Sequence, residues 1–190
     1  YDSDNPWHDF ANSGVDEEGN VLSGWFLENS HLPANIREED SETPYMMRRG
    51  MEFIASRGDT PWCCHLSLIK PHWPYIVPAP YHDMYGPNTM LPMVRSDAEL
   101  ATNHPILAAL MRSPMSLTFH HEGIRQKVVG AYMGLVKQID DQVGVLLDFL
   151  EESGRLKDTF IVLTSDHGDY LGDHWQGEKM FFHDCAVKVP

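Results

Sequence analysis

Residues 159–164 form an uninterrupted apolar and β-branched run, Thr-Phe-Ile-Val-Leu-Thr, which constrains the fold more than any other feature of the chain. Such a run predicts a β-strand covered on both faces, as in a parallel sheet. A long helix is predicted before it, over 124–153, because apolar side chains recur there at steps of three and four. A second buried strand is predicted over 62–69, between two prolines. Strand, helix and strand in this order predict an α/β fold with a mostly parallel sheet flanked by helices.

Other elements are marked by capping residues and by glycine or proline. A helix is predicted to begin at Thr43, followed by proline, and to end at Gly58. Helical spacing returns over 97–112, where we expect Pro105 to interrupt the helix. The first 44 residues are predicted to be mostly loop, with one apolar patch at 21–27 that suits a short strand.

The balance of charges excludes several classes of partner. The chain has 190 residues, 28 of them acidic and 14 basic, and a formal net charge of −14. This length suits one domain with a sizeable core. The acidity argues against a nucleic-acid binder or a polybasic membrane-surface protein, and no stretch is apolar enough to span a bilayer. We therefore expect a protein that binds neither nucleic acid nor membrane.

The three cysteines indicate a reducing compartment. Cys63 and Cys64 are adjacent, and Cys185 makes the total odd. An odd number with one adjacent pair is a poor disulfide framework. We expect buried thiols and a cytoplasmic protein.

Chemistry-bearing residues follow the strand predicted over 159–164. Ligands in open α/β sheets bind beyond the carboxyl ends of the strands. The motif Ser-Asp-His-Gly-Asp occupies 165–169. Asp166 and His167 offer a carboxylate and an imidazole, which suit a divalent ion such as zinc or manganese, and Gly168 permits a sharp turn. The alternative is a capping aspartate beside a surface histidine. Three nearby residues are rival ligands with the same chemistry: Asp169, Asp173 and His174.

The strand predicted over 62–69 also ends in polar residues, and we expect the two strand ends to face one crevice. Lys70 and His72 could hold an anionic group or protonate a leaving oxygen. Lys179 is a cation that suits an anionic oxygen. The alternatives are a proline-stiffened surface loop and an ordinary solvated lysine.

Longer stretches around these residues are similar to a known family. The run Thr-Ser-Asp-His-Gly-Asp-Tyr-Leu-Gly-Asp-His over 164–174, followed by Glu178 and Lys179, resembles the sulfatase branch of the alkaline phosphatase superfamily. Within that branch the chain is most similar to phosphonate monoester hydrolases, which are also phosphodiesterases. Further similar stretches lie at 1–8, 21–26, 65–72 and 101–105. The resemblance implies an alkaline phosphatase-like α/β fold, in which residues 1–190 are part of a single catalytic domain.

The resemblance also implies a reaction. These enzymes attack phosphorus or sulfur with a formylglycine made from cysteine, or in other branches with serine or threonine, on a divalent metal described as manganese, zinc or calcium. By this likeness Asp166 and His167 hold one divalent ion. His72 lies near the leaving-group oxygen or the transferred group, Lys179 contacts the anionic group of a small ester, and Lys70 is a weaker substrate-binding candidate. The resembling enzymes often form multimers, which suggests a homo-oligomer.

The nucleophile that the resemblance implies has no match in the chain. The family motif is Cys/Ser-x-Pro-x-Arg, and no cysteine or serine has proline and arginine at the required positions. The first metal-binding acid of an early strand has no match either. We therefore expect an internal piece of a larger domain, in which the N-terminal nucleophile region, with its formylglycine, and a C-terminal region are absent. As an isolated chain it should be inactive.

Three functions are compatible with these residues. The first is a metal-dependent hydrolase of phosphonate monoesters and phosphodiesters, of which this chain carries half of the active site. The second is a sulfatase that acts on sulfate monoesters with the same chemistry. The third is a non-catalytic module that binds a metal or an anion.

Overall fold

The computed structural model describes residues 10–101 and 104–190, so the similarity at 1–8 and part of that at 101–105 lie outside the described residues. Two short strands, β1 (Ser13–Val15) and β2 (Val21–Ser23), pair antiparallel with Gly14 opposite Leu22. The helices are α1 (Glu42–Ser56), α2 (Pro105–Met111), α3 (Pro114–Phe119), α4 (Glu122–Glu152) and α5 (Asp184–Val187). None of the helices in the described ranges is long and apolar enough to cross a membrane.

Helix α4 organises the core and confirms the helix predicted from periodicity. Its 31 residues span about 46 Å. One face of the helix buries apolar side chains against the loops that precede it. The buried cluster contains Leu27, Tyr75, Val77, Tyr81, Phe119, Val128, Ala131 and Leu135. The helix ends just before Gly154, whose φ of +69° suits a glycine terminator.

Two glycines let the backbone of a loop lie directly on α4. A Cβ added at Gly134 would lie 2.4 Å from the carbonyl oxygen of Tyr81, and one at Gly130 would lie 2.8 Å from that of Tyr85. Only glycine fits at such distances. This close packing fixes the backbone of residues 81–85 against α4.

Pro105 begins a helix rather than interrupting one. The region predicted as helical over 97–112 contains a 3₁₀ helix, Asp97–Ala101, and then α2, which starts at Pro105. The His104 side chain caps α2 by accepting the amide of Leu107 at 3.2 Å. Proline is favoured at the first position of a helix because its missing N–H would have no partner there.

Neither predicted buried strand forms a strand within the described residues. The segments 62–69 and 159–164 take part in no β-ladder, and the side chains of Phe160 and Leu163 are 93% and 67% exposed. A buried strand needs neighbours that bond its backbone and cover both faces. No part of residues 10–101 and 104–190 supplies such neighbours, so the prediction that these segments are buried strands is wrong for this structure.

Candidate active site

The two polar segments do meet at one pocket, as expected from their places in the sequence. Residues 67–72 and 165–169 line a cavity of about 270 Å³. Tyr132 of α4 completes its lining. The Lys70–His72 segment and the Ser-Asp-His-Gly-Asp motif therefore line the same cavity.

Asp166 and His167 present two donors of the kind that a divalent ion binds. The Nδ1 atom of His167 lies 2.7 Å from the carbonyl oxygen of Gly168, so Nδ1 carries the proton and Nε2 is free as a ligand. Nε2 lies 3.8 Å from Oδ2 of Asp166, whose side chain is 88% exposed. Two donors each about 2.1 Å from one ion lie roughly 3–4 Å apart, so this pair fits a shared cation.

The rival ligands are bonded elsewhere. Asp169 accepts the Tyr75 hydroxyl at 2.6 Å, Asp173 accepts the amide of Val94 at 3.0 Å, and His174 Nδ1 lies 3.0 Å from a Glu99 carboxylate oxygen. Within residues 10–101 and 104–190, no group of three or more His, Cys, Asp or Glu side chains is arranged to hold a metal. The assignment of Asp166 and His167 as ligands stays a prediction.

Gly168 is required for a reason other than the one expected. Its φ lies outside the left-handed region, so it makes no turn that only glycine allows. A Cβ at Gly168 would instead lie 2.0 Å from the carbonyl oxygen of Cys185. The amide of Gly168 donates to the carbonyl oxygen of Ala186 at 2.8 Å. The glycine lets the motif pack on the backbone of α5.

His72 and Lys179, which are 107 positions apart in sequence, contact each other. Nδ1 of His72 lies 2.7 Å from the carbonyl oxygen of Trp73, so Nδ1 carries the proton there. The opposite atom, Nε2, accepts a hydrogen bond from the Lys179 ammonium. The His72 ring also lies edge-on to the His167 ring, with 6.0 Å between centroids. The structure thus places His72 beside both Lys179 and His167.

The loop between the motif and Lys179 has an unusual backbone. Four non-glycine residues have φ between +46° and +61°: Leu171, His174, Trp175 and Glu178. Such conformations cost free energy and persist only where the surroundings hold them. Here the amide of Tyr170 donates to the carbonyl of Glu178 at 2.8 Å, which closes the loop immediately before Lys179. The strained loop places Lys179 in contact with His72.

Lys70 is engaged with the protein interior. Its ammonium donates to the carbonyl oxygen of Pro74 at 2.7 Å and to Oδ1 of Asn12 at 3.1 Å. The residue as a whole keeps some exposure, but burial of the ammonium lowers its pKa to about 8. These contacts tie down the loop that carries His72. The proposed contact of Lys70 with substrate stays a prediction.

The lowered pKa of Lys70 predicts a pH-dependent stability. Between pH 8 and its ordinary pKa of 10.5, the unfolded state binds more protons at this residue than the folded state. The burial penalty is therefore present in full below pH 8 and is relieved as the pH rises. Relative to Lys70→Met, the unfolding free energy of the wild type should rise by about 2–3 kcal/mol over this range. Urea unfolding of both proteins across the range checks this. If the unfolding free energies of the two proteins change with pH by the same amount, the prediction is wrong.

Sequence reasoning missed two tyrosines near the pocket. Tyr132 belongs to the periodic face of α4, whose spacing predicts core residues, and it lines the cavity. Tyr75 lies within the proline-rich segment, between Pro74 and Pro78, and donates to Asp169. No spacing pattern in the sequence marks Tyr75 as part of the site.

Comparison with known proteins identifies the family. The Sulfatase family model matches residues 5–186, and the chain belongs to this family. It is 30% identical over 200 residues to the multifunctional alkaline phosphatase superfamily protein PehA of Trinickia caryophylli, covering 95% of this chain and 39% of that protein. It is 29% identical over 162 residues to the choline-sulfatase of Rhizobium meliloti (strain 1021), covering 82% of this chain and 31% of that protein.

A solved structure confirms the fold class. The phosphonate monoester hydrolase SpPMH from Silicibacter pomeroyi matches with a TM-score of 0.83 and 29% identity, over 100% of this chain and 38% of that chain. The chain therefore has the alkaline phosphatase-like α/β fold predicted from the sequence. It spans less than half the length of each of these relatives.

Proposed function

We propose that the full-length protein is a metal-dependent hydrolase of phosphonate monoesters and phosphodiesters. The observation that carries this proposal is the contact between Lys179 and His72, made at a pocket that is also lined by Asp166 and His167. Together these residues offer a cation, an imidazole whose Nε2 can take up and pass on a proton, and two metal donors at one place. The similarity to SpPMH and to PehA supports the same reaction class.

Asp166 and His167 would hold the metal. One carboxylate oxygen and one imidazole nitrogen suit manganese or zinc better than calcium, which prefers oxygen ligands. A bound divalent ion would stabilise negative charge on the transferred group and activate the nucleophile. The ion would also give an anionic substrate a positive field within a chain whose net charge is −14. We propose that the nucleophile is a formylglycine outside these 190 residues.

Lys179 and His72 would act on the substrate. Phosphoryl transfer places negative charge on the equatorial oxygens, which the Lys179 ammonium offsets. An anionic group bound to Lys179 takes over the hydrogen bond that this lysine now donates to Nε2 of His72. Nε2 is then open to the leaving oxygen and, when protonated, can donate to it. Since Trp73 holds Nδ1, Nε2 is the ring nitrogen that serves this role.

A sulfatase is the second candidate. The choline-sulfatase of Rhizobium meliloti is almost as similar to this chain as PehA is. A sulfuryl group carries charge on the same equatorial oxygens, so the same cations would stabilise its transfer.

Turnover of matched esters tests the proposal. The full-length protein, loaded with Mn²⁺, is assayed on an aryl phosphonate monoester, an aryl phosphodiester and an aryl sulfate that share one leaving group. We expect kcat/KM for the phosphorus esters to exceed that for the sulfate by at least about tenfold, and a chelator to abolish turnover. A preference for the sulfate would establish the sulfatase instead. Turnover of none of the esters would overturn both and favour a binding module.

A further inference from the structure

We propose that Tyr75 is a positioning residue whose hydrogen bond to Asp169 sets the spacing between the two halves of the site. The Tyr75 hydroxyl donates to Oδ2 of Asp169 at 2.6 Å, across 94 positions of sequence. We call residues 70–77 the His72 arm and residues 165–171 the His167 arm. The catalytic consequence of this inference rests on the proposed function, whereas the structural consequence does not.

Tyr75 and Asp169 are both held firmly. Tyr75 is 0% exposed and belongs to the core cluster on α4. The second oxygen of Asp169, Oδ1, accepts the amide of Leu171 at 3.0 Å. Burial raises the pKa of the Asp169 carboxyl to about 6, against the opposing effect of the Tyr75 hydroxyl. A buried carboxyl fixed by two donors makes a rigid anchor.

The Tyr75–Asp169 bond joins the two arms within three residues of each histidine. Tyr75 lies three residues after His72, and Asp169 lies two residues after His167. Each histidine ring is oriented within its own arm by the carbonyl of the next residue. Those local bonds fix how each ring points but not how far apart the two rings lie. Among the described residues, the Tyr75–Asp169 bond is the only hydrogen bond that connects the two arms.

Loss of this bond should therefore change the distance between His72 and His167. Phenylalanine at position 75 would keep the packing but leave the buried Asp169 carboxyl without one of its donors, which costs about 1–3 kcal/mol. The arms can relieve that cost by moving apart. A displacement of about 1 Å at a reacting group can slow turnover by about 10²-fold.

The chain offers a matched control for this substitution. Tyr81 is also a buried core tyrosine, and its hydroxyl donates to Oδ2 of Asp141 at 2.9 Å. Neither Tyr81 nor Asp141 lines the pocket. Tyr81→Phe therefore removes a tyrosine–aspartate bond from the same core cluster and lies outside both arms, with an acceptor, Asp141, that is 41% exposed and also pairs with Lys137.

Kinetics of the full-length, Mn²⁺-loaded protein provide the first test. For Tyr75→Phe we expect kcat on the best ester to fall by about 10- to 100-fold, with KM within about threefold of wild type and the metal content unchanged. For Tyr81→Phe we expect an unchanged kcat and a smaller fall in Tm, because the partly exposed Asp141 stays paired with Lys137. A Tyr75→Phe variant with the same kcat as Tyr81→Phe would overturn the proposal.

A second test does not depend on turnover. In the apoprotein with ¹³C-labelled histidine, the edge-on His72 and His167 rings should give a nuclear Overhauser cross-peak in the wild type and in Tyr81→Phe. The cross-peak should weaken or vanish in Tyr75→Phe, and its persistence at full intensity would overturn the proposal. This result decides the inference even if the wild type hydrolyses no ester.

If Tyr75→Phe does not fold, two variants of Asp169 replace it. Asp169→Asn, which keeps an acceptor oxygen, should retain the cross-peak, and Asp169→Leu should lose it. The opposite pattern would overturn the proposal.

Discussion

Asp166→Asn should lose bound metal and lower kcat/KM at least about 10³-fold, since metal assistance is worth several kcal/mol in the transition state. The amide oxygen that replaces the carboxylate carries no charge and is a weaker ligand for a divalent ion. Folding should be little affected. The Asp166 side chain is 88% exposed, and its one close hydrogen bond within residues 10–101 and 104–190 is a local one from the amide of His167.

Metal content per chain and kcat/KM are the measurements for this variant. Asp158→Asn is the matched control, because Asp158 is an exposed aspartate in an ion pair with Lys157, away from the pocket. The control should keep both the metal and the activity of the wild type. An Asp166→Asn protein with the wild-type metal content would show that Asp166 is not a ligand.

Lys179→Ala should lower kcat/KM by about 10²- to 10³-fold while the metal content stays at the wild-type level. Its proposed partner is the substrate anion, and its contact in the structure is Nε2 of His72 rather than the carboxylate of Asp166. Removing the ammonium therefore removes charge that the transition state needs and leaves the metal donors in place. The loss should be larger for an anionic ester than for any neutral analogue.

Lys188→Ala is the control for Lys179→Ala. Lys188 is an exposed lysine paired with Asp184 at 2.7 Å, and it lines no part of the pocket. Its removal changes the net charge by the same amount and should leave kcat/KM within about twofold of wild type. If both lysine variants have the same kinetics, Lys179 has no part in the reaction.

Local patterns predicted α1 and α4 well, because a helix satisfies its own backbone, but they placed Pro105 wrongly and gave no prediction of α3 or α5. The apolar steps over 124–153 placed α4 within two residues at its start and one at its end. The strands predicted over 62–69 and 159–164 depend instead on partners, and no described segment pairs with them. An apolar run therefore indicates where a strand can form, while its hydrogen bonds require neighbours that a local pattern does not contain.

The candidate site was likewise predictable from the sequence only in part. The sequence predicted that the segments around His72 and around Asp166 and His167 share one crevice. The structure has both segments at one pocket. The Tyr75–Asp169 bond could not be foreseen, because it joins residues 94 positions apart that carry no spacing signal. The contacts of Lys70 with Asn12 and Pro74 likewise depend on tertiary packing.

Anomalous diffraction from crystals of the full-length protein grown with Mn²⁺ tests most directly whether Asp166 and His167 bind the metal. We expect one strong manganese peak within bonding distance of an Asp166 carboxylate oxygen and of Nε2 of His167, in the pocket beside His72. A manganese peak bound by other residues, with Nε2 of His167 free, would contradict the assignment of the metal site and the hydrolase built on it.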